Sequence, residues 1–223
     1  HKKAMLDTIG VLSLPYDIVS RHGKRFVSTL AQTQRFMVSG VVKELFYNPD
    51  LPAIKLYDIV ISQKTGRLFS LASLWGLLAS RCICCNSLDN LCAYKEEMRY
   101  FSNYGVYCGN SMQIADDIAD LQKVIDGKKT GGFGSEMLLL RCVNVDRLVK
   151  EAVTDLMNKS PDLSKIKQFW TNEGVKAGLF KLLDKEILEA RKMITFTKVP
   201  YPECEELLLS APGEIADMMI KEG

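Results

Sequence analysis

Residues 113–120 read Gln113-Ile-Ala-Asp116-Asp117-Ile-Ala-Asp120, acidic positions set among small and branched apolar ones. At about 100° per residue on a helix, Asp116 and Asp120 share a face, with Asp117 beside them and Gln113 one turn earlier. Carboxylates packed this way raise one another's proton affinity and cost stability unless a positive charge sits among them. Mg²⁺ is the natural partner, because it prefers oxygen ligands, accepts one or two carboxylates and keeps waters and phosphate oxygens in its remaining positions. A solvated acidic face is the competing account. Ile114, Ala115, Ile118 and Ala119 favour a face at least partly packed against other helices.

A second cluster, Lys64-Thr65-Gly-Arg67-Leu68-Phe69-Ser70, puts a lysine, a hydroxyl and an arginine within one turn, just before an apolar stretch. Phosphate-binding groups at the mouth of an apolar slot, taken with the aspartates, suit a ligand with a diphosphate head and a hydrocarbon tail. The plain alternative is a helix whose outer face becomes buried further along.

The remaining candidates are weaker. His1-Lys2-Lys3 is a compact basic cluster that would serve a further phosphate. His22, in Ser-Arg-His-Gly-Lys-Arg, reads as a helix end, where cations favour the negative end of the helix dipole. No serine or cysteine is paired locally with a histidine as in a hydrolase. Asp126 to Gly134 (Asp-Gly-Lys-Lys-Thr-Gly-Gly-Phe-Gly) has neither the spacing nor the preceding strand of a nucleotide-binding phosphate loop. Tyr100, Tyr104 and Tyr107 share a helical side and suit core packing better than the flanking of a cationic intermediate.

The elements that must position these residues are helical. Period-two alternation is nearly absent, whereas apolar residues recur every three or four positions. The expected helices span about 4–21, 25–47, 53–80, 88–126, 134–158, 161–191 and 203–220, an all-α, large single-domain bundle over residues 1–223. Asn48-Pro49-Asp50-Leu51-Pro52 breaks one helix, and the glycines after Asp126 end another. Leu68–Ala79 reads as a buried helix too short to span a membrane.

With 29 basic and 27 acidic side chains, the formal charge of +2 supplies no strong field for nucleic acid or an anionic membrane. Seven cysteines, an odd number, include Cys82, Cys84 and Cys85 with neither histidine nearby. They read as reduced thiols of a cytoplasmic protein rather than as disulfides or a zinc site.

At the Lys64-Thr65-Gly-Arg-Leu-Phe and Gln113-Ile-Ala-Asp116-Asp117-Ile-Ala-Asp120 motifs, the sequence resembles the trans-isoprenyl diphosphate synthases, or polyprenyl synthetases. These include the farnesyl and geranylgeranyl diphosphate synthases. The two motifs stand in the family's order and separation. Gly40-Val-Val-Lys-Glu44-Leu is similar to the family's glycine-glutamine segment, with Val41 in place of glutamine, and Val11 stands where aspartate is common. The loop after Asp126 is shorter than usual, as if residues of the 126–134 region were missing. The family's first aspartate-rich motif, its arginine pair and an earlier basic segment would lie on helices before His1.

The resemblance implies a Mg²⁺-dependent prenyltransferase acting on isopentenyl diphosphate and an allylic diphosphate, usually as a homodimer. It implies Lys64, Asp116 and Asp117 as catalytic residues and Asp116, Asp117 and Asp120 as metal ligands. His1, Lys64, Thr65, Gln113, Lys128 and Lys129 would bind substrate. A terpene cyclase and a noncatalytic subunit of a heteromeric synthase are the alternatives.

Overall fold

The computed structural model describes residues 2–46, 53–85, 94–128, 134, 137–138 and 173–222. The chain is all-helical, with no strand among the described residues. Helices α1 (Lys2–Ser20) and α2 (Lys24–Leu45) form a pair. A continuous helical rod follows, made of α3 (Ala53–Ile61), a π turn (Ser62–Gly66) and α4 (Arg67–Cys85). Helix α5 (Lys95–Ile125) is the longest, and α6 (Glu173–Thr195) and α7 (Pro202–Glu222) complete the set.

Helix α5 is the axis on which the rod, α6 and α7 pack. Its main core joins Ile114, Ile118, Leu121 and Val124 to Tyr57 and Ile61 of α3, to Leu179 and Leu183 of α6 and to Ala216 of α7. Ile114 and Leu121 are fully buried, each worth about 1.5–3 kcal/mol relative to exposure. A second core gathers Tyr104, Cys108, Ala190 and Ile194, and a third joins Val19, Leu30 and Leu71 under Trp75. The tyrosines of α5 therefore go to packing: Tyr104 and Tyr107 enter the second core, and Tyr100 lies against Phe196 with ring centroids 5.5 Å apart.

The ends of α5 follow from its composition. Glu96 and Glu97 in the first turn and Lys123 in the last complement the helix dipole. At the C-terminus Gly127 adopts φ 73°, which lets its N–H reach Val124 O at 3.0 Å and the Lys128 N–H reach Lys123 O at 2.8 Å. That pair of bonds closes the last carbonyls as a glycine cap does.

Three expectations change. The stretch Leu68–Ala79 is not buried all round: Leu71, Leu77 and Leu78 are inside, while Leu68 is 47% exposed. Among the described residues, α2 and α5 are the helices that pack on α4 most extensively, and Leu68 is not among the residues buried there. The helix expected to end at residue 191 runs on to Thr195, because Ala190 and Ile194 are held in the second core. The third helix is interrupted by a π turn at the lysine-threonine motif itself. Of the helix expected at 134–158, only Gly134, Met137 and Leu138 lie among the described residues, all in helix. The side chains of Cys82, Cys84 and Cys85 and the breaks at residues 48–52 lie outside them. No described helix is long and apolar enough to cross a membrane.

Candidate active site

The rod and α5 touch backbone to backbone. A Cβ on Gly109 would stand 2.8 Å from the Gly66 Cα, and one on Gly105 would strike Phe69 O and the Ser70 backbone. Only glycine permits this approach. In the π turn the Arg67 N–H reaches back to Ser62 O, five residues earlier, so the rod widens where Gly66 meets α5. Isolated π turns of this kind are frequent at functional sites.

From this seam a chain of hydrogen bonds runs into the acidic motif. Thr65 Oγ1 donates to Gln113 Oε1 at 2.7 Å, and Gln113 Nε2 donates to Asp117 Oδ1 at 3.2 Å. The other oxygen, Asp117 Oδ2, accepts from the Tyr57 hydroxyl at 2.7 Å. Tyr57 is fully buried, and Asp117 is only 5% exposed. Gly134 closes against the Asp117 carboxylate so tightly that a Cβ there would strike it.

The three aspartates therefore differ in kind. Asp117 points into the protein, whereas Asp116 is exposed and Asp120 is partly exposed, with Lys123 Nζ 3.8 Å from its Oδ1. Among the described residues no three His, Cys, Asp or Glu side chains gather as a ready-made metal cluster. Burial pushes the Asp117 carboxyl up to about 7, against the opposing pull of the Tyr57 and Gln113 hydrogen bonds; the Asp116 charge adds to the rise and Lys64 reduces it. A donor pair such as Asp116 and Asp120, one turn apart on the accessible side of α5, fits Mg²⁺, which completes its shell with waters and phosphate oxygens.

Lys64 is held from the other side. Its ammonium meets Glu44 of α2 at 2.8 and 2.9 Å, one distance to each carboxylate oxygen. Lys43 bridges Ser39 at 2.6 Å and Gln63 at 2.9 Å, and a Cβ on Gly40 would lie 2.8 Å from the Lys64 backbone nitrogen. The Gly40–Glu44 segment of α2 thus backs the lysine-threonine motif directly. Arg67 turns away, its guanidinium 4.7 Å from the Phe36 ring centroid.

The structure therefore brings together Lys64, Thr65, Gln113 and the aspartate motif. Lys128 sits beyond the end of α5, its ammonium 3.3 Å from Asp126. His1 and Lys129 lie outside the described residues. Two participants carried no assigned role in the sequence: Tyr57 and Glu44. A tyrosine in the mostly apolar stretch Leu56 to Ile61 is a usable signal, since a buried phenol needs a partner. Glu44 could be found only through the resemblance of its segment.

Comparison with known proteins agrees with this geometry. The family model described as Polyprenyl synthetase matches residues 1–132, more than half of the chain, and both motifs fall within it. The protein belongs to the polyprenyl synthetase family. Among solved structures, a polyprenyl synthase from Roseobacter denitrificans superposes with a TM-score of 0.61 at 17% identity, over 92% of this chain and 66% of that one. The apo form of an Arabidopsis medium/long-chain length prenyl pyrophosphate synthase gives a TM-score of 0.61 at 16% identity, over 91% and 67%. At such identities the likeness establishes the isoprenoid synthase fold, of which this chain spans about two thirds of each relative's length. No curated protein matches in sequence.

Proposed function

We propose that this protein joins isopentenyl diphosphate to an allylic isoprenoid diphosphate by Mg²⁺-dependent head-to-tail transfer, with release of pyrophosphate, in one isoprenoid synthase-like domain over residues 1–223. The observation that carries this is the 2.7 Å bond from Thr65 to Gln113, which ties the lysine-threonine motif to the aspartate motif across two helices.

In this scheme Asp116 and Asp120 would hold Mg²⁺ at the accessible face of α5, with Asp117 behind them. Bound Mg²⁺ supplies charge neutralisation for the departing diphosphate. Lys64 keeps one N–H on Glu44 and turns its others to the allylic diphosphate, stabilising charge as the carbon–oxygen bond breaks. The electron pair of that bond leaves with pyrophosphate. The alkene of isopentenyl diphosphate supplies the pair for the new carbon–carbon bond, and loss of a proton restores a double bond. Thr65 and Gln113 fix the head-group side of the cleft, and Lys128, Lys129 and His1 serve the diphosphates by resemblance alone.

A homodimer fits the surface: Val11, Leu14 and Ile18 of α1 and Val38, Val42 and Leu45 of α2 are exposed apolar residues at helical spacing.

The deciding experiment is incorporation of labelled isopentenyl diphosphate by the purified protein, with Mg²⁺ and short, medium or longer allylic diphosphates. Elongated, acid-labile products that disappear on chelation are expected. Cyclised products would replace the assignment with a cyclase, and no turnover by folded protein across the panel would leave a noncatalytic subunit.

A further inference from the structure

We propose that Tyr57 is a positioning residue: by holding Asp117 from beneath, its hydroxyl fixes the outward face of the aspartate motif for a divalent cation and its diphosphate. This rests on the proposed role of that motif as a cation and diphosphate site.

Both Asp117 oxygens are engaged from within the protein, Oδ2 by Tyr57 at 2.7 Å and Oδ1 by Gln113 at 3.2 Å. The carboxylate is thereby committed to the interior while Asp116 and Asp120 face outward on the same helix. The bonds to Tyr57 and Thr65 grip one stretch of α5 from two points on the rod. On a regular helix eight residues would turn Thr65 about 80° away from Tyr57. The π turn between them rotates each residue through a smaller angle and brings both hydroxyls to α5. Packing fixes the phenol as well, since Tyr57 is 0% exposed within the main core. A supporting group that orients a ligating segment in this way typically changes metal affinity by about 10–100-fold when removed.

The test uses Tyr57→Phe, which deletes the hydroxyl and keeps the ring, together with Asp117→Asn and the double variant. Binding of Mn²⁺ in the presence of inorganic pyrophosphate is read by electron paramagnetic resonance, alongside metal-free thermal unfolding and the Mg²⁺ concentration giving half-maximal isopentenyl incorporation. Tyr57→Phe is expected to unfold cooperatively, to bind Mn²⁺ about 10-fold more weakly and to need about 10-fold more Mg²⁺. The double variant should bind no more weakly than Asp117→Asn alone, because the hydroxyl acts through that carboxylate. Where Asp117→Asn does not fold, Thr65→Val replaces it, and its combination with Tyr57→Phe should be non-additive, because both grip one segment.

Unchanged Mn²⁺ affinity in Tyr57→Phe, or strictly additive losses, would overturn the proposal, as would a wild-type protein that binds no Mn²⁺ with pyrophosphate. Wild-type protein that binds Mn²⁺ and pyrophosphate but incorporates no isopentenyl diphosphate would sink the prenyltransfer assignment alone. Weaker binding by Tyr57→Phe in that same protein would still uphold the role of Tyr57.

Discussion

The two halves of α5 bury polar groups to similar depth and use them differently. In the N-terminal half Tyr104 and Cys108 sit among Phe69, Phe101, Met193 and Leu209, and the Tyr104 hydroxyl donates to Leu208 O at 2.8 Å. Burial pushes the Cys108 thiol up to about 12 and raises the Tyr104 phenol further still, so both stay protonated and inert. In the C-terminal half Asp117 is also raised by burial, yet Tyr57 and Gln113 direct donors at its ionised form. A raised pKa by itself locates burial. A donor from a second helix on a buried carboxylate, next to a lysine held by its own carboxylate, is what sets the proposed site apart.

The largest effect that would break this contrast concerns Lys64 and Cys108. Lys64→Ala is expected to lower kcat/KM for isopentenyl transfer by about 10²–10³-fold, the scale for losing one aimed charge-stabilising donor. Cys108→Ser should leave it within about 2-fold, because Cys108 is buried in the second core and, among the described residues, no hydrogen bond joins it to the site. Steady-state kinetics on folded protein would decide it, and comparable losses in both would mean the two halves are not distinct.

A middle-sized effect sharpens the role of the glycine seam. Gly109→Ala places a Cβ 2.8 Å from the Gly66 Cα, where backbone has to move. A loss of about 1–3 kcal/mol is expected from this overpacking, with weaker transfer as Thr65 and Gln113 separate. Gly76→Ala is the control: no described residue lies within 4 Å of its added Cβ, and replacing a mid-helix glycine gains up to about 1 kcal/mol. Urea titration of both variants measures the difference.

The same contrast explains what could be read in advance. Three-to-four periodicity is a local property, so the helices among the described residues were legible, as was the end of α5 at Asp126-Gly127. The motifs at Lys64 and Gln113–Asp120 were legible too, as clusters of residue types with a meaningful spacing. Which aspartate turns inward was not, because that depends on Tyr57, 60 residues away in sequence. The π turn was hidden for a similar reason: Ser62-Gln-Lys-Thr-Gly66 carries no strong helix breaker apart from its glycine, and that glycine is needed only because Gly109 packs on it. Packing partners distant in sequence decided both.

The smallest expected effect lies at the boundary between the halves, where Asn110 Nδ2 donates to Glu186 Oε2 at 2.9 Å. Burial, more than any neighbour, raises the Glu186 carboxyl above its ordinary 4.5, and Asp58 of α3 and Glu189 of α6 add to the rise. Asn110 and Lys185 oppose it. Tyr107 faces the same charges, and its own rise is due first to burial and then to Glu189 and Glu186. The folded protein therefore holds the Glu186 proton more tightly than the unfolded chain does. Its contribution to stability is fully present below about pH 4.5, the unfolded value, and is lost as pH rises through the folded one. Glu186→Gln cannot titrate and keeps an acceptor for Asn110. Relative to wild type it should gain stability as pH rises from about 4.5, the unfolded value, and level off above the raised folded one, read as denaturation midpoints at each pH. Parallel curves would mean that Glu186 is solvated in solution and that the polar contact at Asn110 belongs to neither half of α5.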